Sequence, residues 1–137
     1  MLSKDIRNLT QALGHKFIEQ RKILTTVESC TGGLLASEIT NIPGSSLWFD
    51  RGFVTYSNQS KIDCVGVKPN TLNKYGEVSQ ETANEMALGG LVNSGGNIVI
   101  SITGIAGPTG GSKIKPVGMV FFGIAQKENI IFEHQAL

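Results

Sequence analysis

Three stretches of the chain carry side chains able to do chemistry. The first, Glu28-Ser29-Cys30-Thr31-Gly32-Gly33, packs two hydroxyls, a thiol and two glycines into six residues. Glycines at a strand-to-helix turn leave backbone N–H groups open at a helix start, where an anion or a developing oxyanion is stabilised. Ser29 is a candidate nucleophile there. The plainer role for Ser29 or Thr31 is to cap the helix, the commoner use of a hydroxyl at such a place. The stretch is neither a phosphate-binding P-loop nor a GxSxG elbow, so neither mechanism carries over.

A serine nucleophile needs a base. His15 and His134 stand far along the chain from the turn. Lys61, in the second stretch (Tyr56-Ser57-Asn58-Gln59-Ser60-Lys61), is the remaining candidate. A lysine serves as a base when burial or the positive end of a helix keeps it neutral. Taken alone, Lys61 reads more simply as a solvated charge. Tyr56 is a candidate to orient the lysine, or else a half-buried strand aromatic. The third stretch, Thr103 to Pro116 (TGIAGPTGGSKIKP), is rich in glycine and proline. Lys113 and Lys115 within it are candidates for a phosphate contact, with solvent exposure the plainer reading. Cys30 has no histidine placed to activate it and reads as a small buried hydrophobe. No group of His, Cys, Asp or Glu has the spacing of metal ligands, so no metal is expected.

The elements that would position these residues alternate. Ile6, Leu9, Leu13 and Phe17 at helical spacing, after Ser3 as N-cap, predict a helix to about Glu19. Lys22 to Val27 is a β-prone run, and a helix over Leu34 to about Thr40 follows the first turn. Asn41 to Ser46 is a loop. Gly52 to Tyr56 predicts a second strand, and Ser57-Asn58 opens a short helix carrying Lys61. Another short helix is expected over Pro69 to Tyr75. Ser79 caps a stronger one whose Ala83, Met86, Ala87 and Leu91 share a face. Asn97 to Ile102 is the third strand; Val117 to Ala125 and Ile130 to Phe132 form a terminal hairpin. This order predicts a single α/β domain, a three-layer α/β/α sandwich on a mixed sheet. All three polar stretches follow a predicted strand. If those strands are parallel, the stretches converge beyond the strands' carboxyl ends.

Bulk properties narrow the classes. With 137 residues, 40% hydrophobic and 17% charged, the chain has the balance of one globular domain. A formal net charge of +1 gives no argument for nucleic acid or a membrane surface as partner. Two cysteines without a CxxC pair are no disulfide framework. The amphipathic start is not a signal peptide, and no stretch approaches the ~20 apolar residues of a membrane span. A cytoplasmic location is expected.

Four stretches together resemble one family: TTVESCTGGLLASEIT (25–40), NIPGSSLWFDRGFVTYSNQSK (41–61), YGEVSQETANEMALG (75–89) and SITGIAGPTGGSKIKPVGMVFFGIA (101–125). They are similar to the CinA carboxy-terminal domain family, which includes stand-alone nicotinamide-nucleotide amidohydrolases. The resemblance runs from about residue 4 to residue 125, and treats residues 1–137 as one such domain. It implies hydrolysis of nicotinamide mononucleotide to nicotinic acid mononucleotide and ammonia, without a cofactor, at a serine–lysine site. Ser29 matches the family's nucleophile, Lys61 the lysine after the YSN motif, Tyr56 the tyrosine within it, and Thr103 the threonine of TGIAGP. Thr103 is expected to hold Ser29 or Lys61 by a hydrogen bond. Thr31, Gly32, Gly33, Gly104, Gly107, Gly110 and Gly111 are the expected substrate-binding positions. The family pattern usually continues past the last strand into an arginine-bearing segment and a closing helix, whereas this sequence stops at IFEHQAL. A shortened carboxyl end is therefore expected, with a homodimer as one way to cover the face it leaves bare. The alternatives are a catalytically impaired nucleotide-binding remnant and a competence- or recombination-associated interaction module.

Overall fold

The computed structural model describes residues 3–127 and 129–137, with the side chains of 129–132 left aside. Five strands form one mixed sheet in the order β2-β1-β3-β4-β5. They are β1 (Leu24–Glu28), β2 (Phe49–Val54), β3 (Ile98–Gly104), β4 (Val120–Gln126) and β5 (Asn129–Ala136). β1 lies parallel to both β2 and β3, while β4 and β5 add on antiparallel. The helices are α1 (Lys4–Glu19), α2 (Leu34–Thr40), α3 (Asn58–Val65), α4 (Pro69–Tyr75) and α5 (Gln80–Val92).

Alternation along the strands assigns the layers. Leu24 packs with Phe17 of α1, Ile39 of α2 and Trp48, so this sheet face belongs to α1 and α2. Val27, three residues on, points the other way and meets Val65 of α3, Leu72 of α4, and Met86 and Ala87 of α5. The predicted α/β/α sandwich is therefore present. On the first face the cover is thin: Leu9 of α1 is 72% exposed, and Phe122 and Ile124 of β4 are only half-buried. On the second face α5 sits very close to the sheet. A Cβ on Gly90 would lie 2.6 Å from Val27, and one on Gly89 would lie 1.7 Å from the Val65 carbonyl. Only glycine allows that approach.

The helix starts follow their caps. Ser3, Ser57 and Ser79 each accept from a backbone N–H in the first turn of α1, α3 and α5. The strand bounds differ from expectation. β2 runs Phe49–Val54 rather than Gly52 to Tyr56, so Thr55 and Tyr56 leave the ladder. β4 begins at Val120 rather than Val117, because Gly118 (φ 91°) turns the chain and its N–H donates to Ile105. β5 extends to Ala136, well beyond the predicted three residues.

The connection from β1 to β2 crosses one face through α2, and that from β2 to β3 returns over the other through α3, α4 and α5. The carboxyl ends of the three parallel strands therefore share one edge of the sheet. A crevice at that edge is where open α/β sheets gather ligands.

Candidate active site

Ser29 follows β1 directly, and its N–H donates to the Ile102 carbonyl of β3 at 2.9 Å. The hydroxyl is thereby fixed at the carboxyl edge, 6% exposed. Beside it, Thr55 N–H donates to the Glu28 carbonyl at 2.8 Å, which holds the end of β2 against the end of β1.

Lys61 lies one turn into α3, and its side chain folds back under these strand ends with no exposed surface. Its Nζ stands 2.9 Å from Ser29 Oγ, 2.8 Å from the Thr55 carbonyl and 3.0 Å from the Tyr56 carbonyl. Burial lowers its pKa from the ordinary lysine value; the charge of Glu77 opposes that shift without cancelling it. The early end of β2 matters here. Thr55 and Tyr56, released from the sheet, aim their carbonyl oxygens at the amine.

The carbonyls decide the proton geometry. A carbonyl oxygen only accepts, so two Nζ–H bonds go to Thr55 and Tyr56. An ammonium would donate its third N–H to Ser29 Oγ; a neutral amine, which burial favours, has no third N–H and would turn its lone pair to that oxygen. That is the arrangement required for a base to take the hydroxyl proton.

Glu28 completes this corner, and sequence reasoning gave it no role. It is 1% exposed, and its carboxylate accepts from the Leu35 N–H (2.9 Å), the Ala36 N–H (3.0 Å) and Thr31 Oγ1 (2.7 Å). The N-cap of α2, Gly33, offers no side-chain acceptor, so the carboxylate of the preceding strand caps the helix instead. An acidic residue between an apolar strand and a glycine-led helix was the available signal. The result corrects the expectation that the start of α2 is open to an oxyanion. The backbone N–H groups of Cys30 and Thr31 favour the thiolate form of Cys30. Burial outweighs their pull and pushes that thiol's pKa up.

A cavity of about 490 Å³ opens over Ser29. Ser29, Cys30, Tyr56, Thr103, Gly104, Gly107 and Gly110 line it, together with Ser57, Asn58 and Glu77, three residues absent from the expected site. Thr31, Gly32, Gly33 and Gly111 do not reach its wall. Thr31 is turned inward to Glu28. Gly32 and Gly33 take positive φ (58° and 102°) to bend the chain into α2. Gly111 packs where a Cβ would meet the Val117 N at 2.5 Å. Two further expectations are corrected. Thr103 bonds neither Ser29 nor Lys61; its Oγ1 donates to the Glu77 carbonyl at 2.7 Å. Tyr56, on the cavity wall, is 75% exposed, and it reaches Lys61 through its carbonyl rather than its phenol. Lys115 donates to the Tyr75 carbonyl at 2.7 Å.

Fold and site thus define a small α/β protein with a lysine-backed serine at the carboxyl edge of a mixed sheet. The comparisons with known proteins agree with that class. The sequence model of the CinA C-terminal domain matches residues 6–137, and the chain belongs to this family. It is 50% identical over 128 residues to nicotinamide-nucleotide amidohydrolase PncC of Enterobacter agglomerans, covering 93% of this chain and 78% of that protein. It is 55% identical over 117 residues to a CinA-like protein of Chloroherpeton thalassium, covering 85% of this chain but 28% of that much longer protein. Among solved structures it is similar to the competence/damage-inducible protein CihA of Agrobacterium tumefaciens. There the TM-score is 0.96 at 43% identity, over 98% of this chain and 82% of the other.

Proposed function

We propose that this chain is a nicotinamide-nucleotide amidohydrolase that converts nicotinamide mononucleotide and water to nicotinic acid mononucleotide and ammonia, with Ser29 as nucleophile and Lys61 as base. The activity is supported by the PncC relative, which the chain matches over 93% of its length. The catalytic assignment rests on one observation above all: Nζ of Lys61 lies 2.9 Å from Ser29 Oγ while two carbonyls occupy its N–H bonds.

In this mechanism neutral Lys61 takes the Ser29 proton as Oγ attacks the carboxamide carbon. The carbonyl π bond becomes an oxyanion, with the backbone of Cys30 on the cavity wall beside it. Collapse breaks the C–N bond, and Lys61 passes its proton to the departing nitrogen, which leaves as ammonia. Water, deprotonated by the same amine, attacks the acyl-serine ester; the C–Oγ bond breaks and Ser29 regains its proton. Thr103 is a positioning residue in this scheme, holding the Glu77 segment against the cavity. The reading extends to a cytoplasmic location, favoured by two free cysteines.

Ammonia release from nicotinamide mononucleotide tests it. Ser29→Ala should lose about a thousandfold or more in kcat with its fold intact. Equal rates for the wild type and Ser29→Ala would end the serine mechanism, and no release from the wild type would end the amidohydrolase reading.

A further inference from the structure

Glu77 is the one carboxylate among the described residues lining the cavity. It sits on the short link between α4 and α5, and its backbone is clamped by three hydroxyls. Ser79 Oγ and Thr82 Oγ1 donate to the Gly76 carbonyl at 2.9 and 2.7 Å, and Thr103 Oγ1 donates to the Glu77 carbonyl at 2.7 Å. Ser79, Thr82 and Thr103 are all buried. The side chain itself is exposed and has no ion-pair or hydrogen-bond partner among the described residues. Its charge is felt at Lys61, which puts it within electrostatic reach of the reacting groups. A rigid backbone thus presents a free negative charge to a cavity otherwise walled by neutral groups, with the amine of Lys61 beneath Ser29.

The chemistry of the substrate gives that charge a task. The ring of a nicotinamide nucleotide is N-glycosylated and carries a formal positive charge beside a neutral carboxamide. Hydrolysis turns the carboxamide into a carboxylate, so the ring portion falls from +1 to net zero, with a new anionic group at the reacting position. A fixed anion in the cavity attracts the first and disfavours the second.

Resting on the amidohydrolase reading, we propose that Glu77 is a specificity-determining residue: its carboxylate attracts the pyridinium ring of the substrate and repels the carboxylate of the product. It thereby favours entry of the cationic ring and exit of the acid. Size and apolar contacts cannot make this distinction, since amide and acid are nearly the same shape.

The test compares wild type, Glu77→Gln and Glu77→Asp. In steady state, Glu77→Gln should raise KM for nicotinamide mononucleotide about threefold, the scale of one exposed charge contact. It should lower the inhibition constant of nicotinic acid mononucleotide by a similar factor. Glu77→Asp, which keeps the charge, should stay near the wild type. A neutral control, the dihydronicotinamide form of the mononucleotide, should bind the wild type and Glu77→Gln alike. The binding arm is repeated by calorimetry in a Ser29→Ala background, where the substrate stays intact. Opposite movement of substrate and product affinity supports the proposal. Movement of both in the same direction, or of neither, overturns it while leaving the amidohydrolase reading in place. A wild type that releases no ammonia overturns that reading, whatever the binding arm shows.

Discussion

The two walls of the cavity are built differently. On one side, the ends of β1 and β2 and the underside of α3 hold Ser29 and Lys61 with bonds of 2.8 to 3.0 Å, both residues buried. On the other, the β3–β4 connection from Ile105 to Met119 crosses the opening with mostly exposed residues, including Ile114 at 84% exposure, and few internal bonds. Regular structure places the two groups proposed to react; loop backbone shapes the space over them. Reaction rate should therefore depend on the first wall and apparent affinity on the second.

Lys61→Met should give the largest effect. It keeps a buried stem of similar length and removes the lone pair, so kcat should fall about a thousandfold, within the usual range for a lost general base. KM should change little, as ammonia release in steady state would show. The pH profile sharpens the same point. Because burial lowers the Lys61 pKa, the neutral form appears below the ordinary lysine range. The rate should fall as pH drops through that lowered pKa, with the limb lying on the acid side of 10.5. The charge of Glu77 resists the shift. An acid limb at the ordinary lysine value, or a Lys61→Met enzyme with unchanged kcat, would break the contrast between the two walls.

Glu28→Ala comes next, and it should act through stability. The substitution strips the start of α2 of the acceptor for two backbone N–H groups and for the Thr31 hydroxyl. Leaving such buried donors unpaired costs about 3 kcal/mol in all. A thermal melt should show a fall of several degrees or more, and Glu28→Gln, which retains one acceptor oxygen, should lose less. An unchanged melting point would mean that α2 is held by its apolar contacts alone.

The first wall was largely legible in the sequence and the second was not. Ser29 and Lys61 each follow a β-prone run, and parallel pairing brings such positions to one edge whatever the details of packing. Layer and sheet type followed from the alternation of helical and strand periods. What failed was local. Tyr56 was read by its ring, yet the residue is exposed and the carbonyl does the work, because β2 stops two residues early. The sequence points Thr103 at Ser29 or Lys61, but strand alternation aims it at the Glu77 backbone. Glu28 and Glu77 look alike in the sequence. One is buried under a helix start and the other open to the cavity, a difference set by the path of the chain around them. Glycines gave the least information: Gly107 and Gly110 reach the wall, whereas Gly32, Gly33 and Gly111 serve turns and close packing.

Gly107→Ala probes the second wall and should have the smallest effect of this set. Gly107 has φ 86°, and an added Cβ would approach Val117 Cγ1 to 2.5 Å. The far end of a valine side chain can shift, so the change displaces the loop rather than unfolding the sheet. The backbone cost of positive φ is about 1 kcal/mol. The melting point should move by only a few degrees, while KM for the mononucleotide should rise several-fold and kcat stay within about twofold. Steady-state kinetics on the variant separate the two constants. A fall in kcat at constant KM would mean that the loop positions the reacting carboxamide itself. The division of labour between the walls would then not hold.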